Sequence, residues 1–473
     1  MKRGILTVAL IATLVLLYQC HKENPIPNIH IPDNNFLNAL IELGVDMDGD
    51  GNISTIEAEA ITFLSVDDKN ITDLTGIKAF INIDTLRCNY NQLTYLDVSN
   101  NAVLKSLDCS GNQLTSLNIT NNHSLSELNC RFNQLASLNI SNNSNLEFLD
   151  CDQNSLSNLD VSNNTSLKVL NCRNNQLSNL DVSTNKFLKD LDCRGNELTY
   201  LNVSGSEGLK SLICQNNLLA NLDVSNNTAL ERLYCSNNQL TSLDISNNTD
   251  LRSLDCGHNR LCYLNVSNNT ALEYLNLRCN CGRLDKLDVS NNTVLKYLDC
   301  GGNLLTSLDV SNNSNLAGLV CEGNLFTSLD VSNNPVLQRM DVGENRLTSL
   351  DVLNNFDLEH LDCHGNLLTN LDVSSNPNLK YLSCGKNQLT NLDISGLTSL
   401  IILSCGGNQL STLDISNNTN LGSETWREDS CYLEIRNMIS LEKVCVWELP
   451  FPPANFRLCA EGSPNVYYTT DCN

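Results

Sequence analysis

Six oxygen-bearing residues between positions 46 and 57 carry the most specific chemistry in this 473-residue chain. Asp46, Asp48, Asp50, Asn52 and Ser54 stand at every other position, and Glu57 closes the stretch. A hard divalent cation takes about six to eight oxygen ligands, and donors at this spacing wrap a loop around one. Asp46, Asp48 and Asp50 supply carboxylates, Asn52 its backbone carbonyl, Ser54 a direct or water-mediated contact, and Glu57 a bidentate clamp. Gly51 permits the sharp turn between them. The chemistry implied is one weak, structural calcium site, and the plain alternative is an acidic surface loop.

Other candidates are weaker. His360, Asp362 and His364 alternate, so on a strand they would project from one face and could hold a metal. Variable surface positions filled by chance explain the same pattern. Of 22 cysteines, 14 recur at one fixed place, as Cys88, Cys109 and Cys130 do. Alternation turns these thiols inward, where cysteine acts as a small hydrophobe rather than a redox or metal-storage group. Cys262 stands apart from that column and could join Cys279 or Cys281; Cys279-Asn280-Cys281 lacks a third ligand for a metal. No nucleophile motif, phosphate loop or zinc signature is present, so an enzyme ranks third among the readings. A net charge of −24 excludes a nucleic-acid surface, which must be basic.

The element that positions all of this is a 21-residue repeat. Sixteen copies open at Ile83, Leu104, Leu125, Leu146, Leu167, Leu188, Leu209, Leu230, Leu251 and Leu272, then at Leu295, Leu316, Leu337, Leu358, Leu379 and Leu400. In the copy from Leu104, Leu107 and Cys109 alternate with Asp108, and Leu117 and Ile119 alternate with Asn118. Period-two alternation marks short strands with one buried face. Each half ends in an asparagine, here Asn112 and Asn122. The pattern predicts a flattened coil with two parallel sheets, rungs about 4.8 Å apart, and six inward residues per copy (here Leu104, Leu107, Cys109, Leu114, Leu117 and Ile119). Asn91, Asn112, Asn133 and their successors to Asn259 should stack as a ladder, because a side-chain amide both donates to and accepts from turn backbone. Units of this kind bury their apolar faces only against neighbours.

The repeat resembles the leucine-rich-repeat family, in its bacterial 21-residue form with nested half-repeats. The resemblance implies a β-rich solenoid, a right-handed coil with a parallel sheet on its concave side, commonly used for protein recognition. Outward positions then become the candidate contact residues. Arg131, Arg173, Arg194, Arg232 and Arg278, with Tyr234, Tyr274 and Tyr297, are of the types favoured at interface hot spots. Recurrent aspartates on the second face, among them Asp160, Asp181, Asp223, Asp244, Asp288, Asp309 and Asp330, should repel one another. Bound cations or raised pKa values are the expected relief.

The flanks complete the organisation. Lys2 and Arg3 precede an apolar run from Gly4 to Leu17, which is too short to span a bilayer comfortably and suits a signal peptide over 1–19. Leu17-Tyr18-Gln19-Cys20 resembles the lipobox of bacterial lipoproteins, with Gln19 in place of the usual small residue, and implies a lipid on Cys20. Residues 20–32 carry Pro25, Pro27 and Pro32 and read as a tether. Residues 33–62 resemble a small helical EF-hand-like module, 61–82 an internalin-like first repeat, and 421–473 a C-terminal cap. In that cap Cys445 closes the last strand-like element and pairs best with Cys472, with Cys431 and Cys459 as competing partners. The whole reads as an exported, non-catalytic binding scaffold, lipid-anchored at the outer membrane or cell surface. It is monomeric, with a protein partner and, as the runner-up, a glycan or nutrient-capture role.

Overall fold

The computed structural model describes residues 27–280, 284–423 and 431–472. The proposed signal peptide, Cys20 and Cys281 lie outside them. Two compact units divide the chain, 1–177 and 178–473.

The first unit begins with helix α1 (Asn34–Glu42), capped by Asp33, whose side chain accepts from the Phe36 amide at 3.0 Å. Helix α2 (Thr55–Glu59) starts in a reciprocal capping box between Ser54 and Glu57. Six parallel strands follow in one sheet: Phe63–Ser65, Thr85–Arg87, Ser106–Asp108, Glu127–Asn129, Phe148–Asp150 and Val169–Asn171. Leu64 pairs with Leu86 and Leu86 with Leu107, so the repeat spacing is the sheet register. The α helices cover the first rung, with Phe36 packed 6.5 Å from Phe80.

One expectation needs correction here. The tether does not run free to residue 32: Asn28 forms an antiparallel bridge with Ser54, and the Ile29 amide donates to Ile53 O at 2.8 Å. Asp33 also accepts from the Thr72 amide at 2.7 Å and the Asp73 amide at 3.1 Å. Residues 27–33 are therefore part of the cap, because the loop backbone at Ile53 and Thr55 would otherwise lack partners.

In the second unit the main sheet runs in parallel from Asp190–Asp192 to Leu458–Cys459. Its register absorbs the two inserted residues, since Tyr274 pairs with Tyr297. Leucine and cysteine columns fill the interior of both units with no measurable exposure at Leu104, Cys109, Leu254 or Cys256. Each buried leucine contributes about 1.5–3 kcal/mol before chain entropy is subtracted. Leu117 departs from its column and is only half-buried.

The second face differs from the two-sheet expectation. It forms short sheets at Tyr95–Asp97 with Ser116–Asn118 in the first unit. In the second it does so at Asn179–Asp181 with Tyr200–Asn202, and among Thr412–Asp414, Lys443–Cys445 and Tyr467–Thr469. Elsewhere a different device ties the rungs. Asn143, wholly buried, donates to Ile119 O at 3.2 Å and Asn122 O at 2.9 Å. Side-chain amides of this column supply the cross-rung bonds, so a continuous backbone ladder is not required.

The first asparagine column is as expected, and it has a neighbour that the repeat pattern concealed. The residue before each ladder asparagine sits in the left-handed region: Tyr90, Gly111, Phe132, Gln153 and Asn174 in the first unit, Gly195, Asn216, Asn237 and His258 in the second. Glycine and asparagine recur there because they reach that region most readily.

Candidate functional site

The acidic loop is partly assembled. Carboxylate oxygens of Asp46, Asp48 and Asp50 lie within 4.8 Å of one another. Asp46 accepts from the Gly49 amide at 2.8 Å and the Gly51 amide at 3.0 Å, and Asp50 from the Asn52 amide at 2.7 Å. Gly51 has φ +82°, the left-handed turn foreseen for it. Glu57 is 6% exposed and ties both ends of the loop, accepting from the Met47 amide at 2.7 Å and from the Ser54 amide and hydroxyl at 2.8 Å. Three donors thus converge, while Glu57 and Ser54 engage each other and the Asn52 side chain faces solvent.

On the main sheet the candidate arginines are held by their own neighbours. In the first unit Arg131 lies 5.5 Å from the Phe132 ring centre and Arg173 reaches Asp152 at 2.8 Å. In the second, Arg194 pairs with Asp192 at 3.1 Å and Arg232 with Asp190 at 3.6 Å. Arg278 bridges Asp299, at 3.6 Å, and Glu322. Tyr234 shares a hydrogen bond with Ser253 at 3.0 Å, and Tyr274 stacks on Tyr297 with ring centres 5.0 Å apart. The Tyr297 ring fills the space a side chain on Gly318 would need, 2.6 Å from that Cβ position.

Two groups on this face escaped the sequence reading. His360 stacks on Tyr381 at 4.2 Å, a pair visible in retrospect as matching positions of adjacent copies. Arg339 is exposed between the two aromatic pairs. The His360, Asp362, His364 pattern does not close on a metal. His364 Nδ1 lies 2.8 Å from Asp362 and its Nε2 3.2 Å from Glu344, whereas His360 is spent on the stack. Burial, then Arg339, lowers the His360 pKa to about 4, and the Asp362 hydrogen bond raises that of His364.

Carboxylates on the two faces behave oppositely. On the main sheet burial raises the pKa of Asp150 and Asp299, and burial followed by Asp362 and Glu322 pushes Asp341 to about 7. On the second face the expected rise is overturned. Asp160, Asp223, Asp288, Asp309 and Asp330 are all lowered, because each accepts from the hydroxyl and amide of the serine two residues on. Asp181 is lowered too: burial opposes, but Ser183 and Asn202 donate to it. Asp244 is lowered chiefly by the Ser246 amide, with Asp223 the smallest opposing influence. Hydrogen bonding to the charged form outweighs repulsion between rungs that face water.

The cysteines divide as follows. Cys445 is bonded to Cys472 and Cys431 to Cys459, with Cα separations of 5.5 and 5.9 Å. Cys262 and Cys279 are free thiols: Cys262 is exposed on the second face, while Cys279 occupies a left-handed turn with its sulfur toward Gly302 of the next rung. Column thiols such as Cys109 and Cys235 are buried, and burial pushes their pKa up; Cys214 and Cys384 reach about 12.

No family model matches the sequence, and no curated protein matches it. Solved structures do. The functional domain of InlJ from Listeria monocytogenes, which includes a cysteine ladder, shares 30% identity over 89% of this chain and 83% of its own, with a TM-score of 0.63. The LRR protein LIC12759 of Leptospira interrogans shares 25% over 75% and 92%, with a TM-score of 0.60. This chain belongs to the leucine-rich-repeat family. Its leucine-rich repeats also match YopM from Yersinia enterocolitica in fold, with 20% identity, 96% and 98% coverage and a TM-score of 0.63. The buried column of cysteines from Cys88 to Cys256 is the feature of this chain that corresponds to a cysteine ladder such as the InlJ domain includes.

Proposed function

We propose that this leucine-rich-repeat protein is an exported, lipid-anchored binding scaffold whose main-sheet face in the second unit recognises a protein partner. The observation that carries the reading is the contrast along each rung. Leucine, cysteine and asparagine columns repeat almost unchanged, while the outward residues vary from Arg232 and Tyr234 to Tyr297, Arg339 and His360. A rigid frame with a varied, aromatic- and arginine-bearing surface suits recognition, not turnover. Two disulfides in the C-terminal cap support an oxidising compartment. A plant peptide hormone receptor of the same fold, RGFR1, at 19% identity, was solved in complex with RGF2.

A glycan is less well supported, because Tyr274 and Tyr297, and His360 and Tyr381, turn their ring faces on each other. Probing protein and glycan arrays with the full chain separates the two. We expect protein hits that Tyr274→Ala with Arg339→Ala abolishes; glycan hits alone would replace this reading. Metabolic labelling with a clickable fatty acid should mark the wild type and miss Cys20→Ser, and equal labelling of both would refute the anchor.

The loop Asp46–Glu57 is proposed as one weak calcium site that stiffens the N-terminal cap. Three converging carboxylates fit a hard cation, and the ion would supply the positive charge they lack.

A further inference from the structure

One gap between rungs of the first unit has a construction of its own. The Gln92 amide donates to Ile71 O at 2.8 Å, and the Asn101 side chain donates to Ile77 O at 3.0 Å and Phe80 O at 2.9 Å. Between those ties the two rungs part. Among the described residues the strand Tyr95–Asp97 pairs only with Ser116–Asn118. On its other side the preceding rung forms a 3₁₀ turn, Ile77–Ala79, instead of a strand. Gly76 starts that turn at φ +110°, and a Cβ on it would meet Ile31 at 2.8 Å. The N-terminal segment thus packs against one wall of the cleft left between the rungs, whose volume is about 360 Å³. Small-molecule sites begin at about 300 Å³.

The lining sorts by chemistry. Leu74, Ile77 and Leu96, all buried, supply its apolar part. Tyr95 lines the same cleft and is 55% exposed; among the described residues its ring has no aromatic partner and its hydroxyl no hydrogen bond. Tyr274 and Tyr297, by contrast, turn their rings on each other. Lys78 Nζ reaches Asp97 at 2.7 Å, which spends one of its three donors. Asp97 stays ionised: burial opposes, but Lys78 and Ser99 donate to it and bring its pKa to about 2. Asp73 accepts from the Thr75 amide and hydroxyl, both at 2.8 Å, on a single oxygen. Its other oxygen takes no partner among the described residues.

We propose that this cleft binds a neutral hexopyranose ring of a glycan. A sugar ring has an apolar face of C–H groups and a rim of hydroxyls. The cleft offers a counterpart to each: the Tyr95 ring for the face, and charged groups of both signs for the rim. A hydroxyl both donates and accepts, so neighbouring hydroxyls can receive from Lys78 and give to Asp97 and Asp73, in hydrogen bonds strengthened by the charges. An anionic sugar fits less well, since Asp97 already neutralises Lys78 and Asp73 adds a negative charge. The cleft lies wholly in the first unit and uses no residue of the main-sheet reading, so either can fail without the other.

Saturation-transfer NMR on the full chain, with the methyl glycosides of glucose, galactose, mannose and N-acetylglucosamine, tests this. We expect transfer to the ring C–H protons of at least one, with a Kd on the order of 10⁻³ M by titration. Tyr95→Ser should weaken binding at least tenfold and leave the fold intact, because serine holds the matching repeat position at Ser116 and Ser137. Asp73→Asn keeps the acceptor for Thr75 and should weaken binding at least threefold. The control Tyr200→Ser removes an equally exposed tyrosine at the same repeat position in the second unit and should change binding less than twofold. No transfer to any of these glycosides, or equal weakening by Tyr200→Ser and Tyr95→Ser, overturns the proposal. So does loss of a protein-array partner in Tyr95→Ser with glycoside binding unchanged, which would make the cleft a peptide site.

Discussion

The side-chain amide of Asn112 donates to the backbone carbonyl of Cys88, one rung earlier, at 3.0 Å. It also donates to Cys109 O at 3.0 Å, while its oxygen accepts from the Leu93 amide at 3.0 Å. One buried side chain therefore closes its own turn and fastens it to the preceding one.

Replacing Asn112 by alanine strands those partners. An unsatisfied buried backbone group costs about 1–3 kcal/mol, so Asn112→Ala should destabilise the first unit by at least that much. Hydrogen exchange is the sharper readout: protection of the Leu93 amide should fall selectively. Unchanged protection there would refute the role.

Gly111 occupies the left-handed position before that asparagine, at φ +64°, and a Cβ on it would meet the Tyr90 ring at 2.7 Å. Gly111→Ala should destabilise by about 1–2 kcal/mol, since strain and contact act together. Thermal melts of the full chain check it, and an unchanged midpoint would refute the strain.

For the calcium loop we expect a Kd on the order of 10⁻⁴–10⁻³ M by titration calorimetry. Asp48→Asn should weaken binding without unfolding the cap. Glu57→Ala should weaken binding and also lower the melting temperature without metal, because Glu57 holds Met47 and Ser54. No heat from the wild type would remove the site.

Asp341 is predicted to make the second unit less stable as pH rises. Its folded pKa, about 7, lies above the ordinary carboxylate value, so the folded state holds the proton more tightly than the unfolded chain. Stability is then lost progressively between about pH 4 and 7. Asp341→Asn should melt like the wild type near pH 4 and at higher temperature near pH 8. A difference that is constant with pH would contradict this.

Non-reducing peptide maps should show Cys445 joined to Cys472 and Cys431 to Cys459, with the column thiols reduced. The Cys445–Cys472 loop of 27 residues is worth roughly 3 kcal/mol on the chain-entropy model. Cys445→Ser should cost about that amount in the cap. A Cys445 peptide linked elsewhere would refute the pairing.

Much was legible in the sequence alone because the repeat is written in local terms. Leu107 and Cys109 turn inward by strand alternation, Asn112 must face the turn it closes, and one period carries every column into register with its copy. The spacing of Asp46, Asp48 and Asp50 is likewise a local property of one loop. What tertiary structure decided depends on groups a rung or more away. Whether Asp341 or Asp330 ionises turns on burial beside Glu322 and Asp362 in one case, and on water and Ser332 in the other. That Arg278 is tied to Glu322, and that Asn28 completes the loop at Ser54, follow from side-chain reach and from chain segments brought together only by folding. Periodicity specifies which residues share a column; the distance between columns, and hence their charge and availability, is settled in three dimensions.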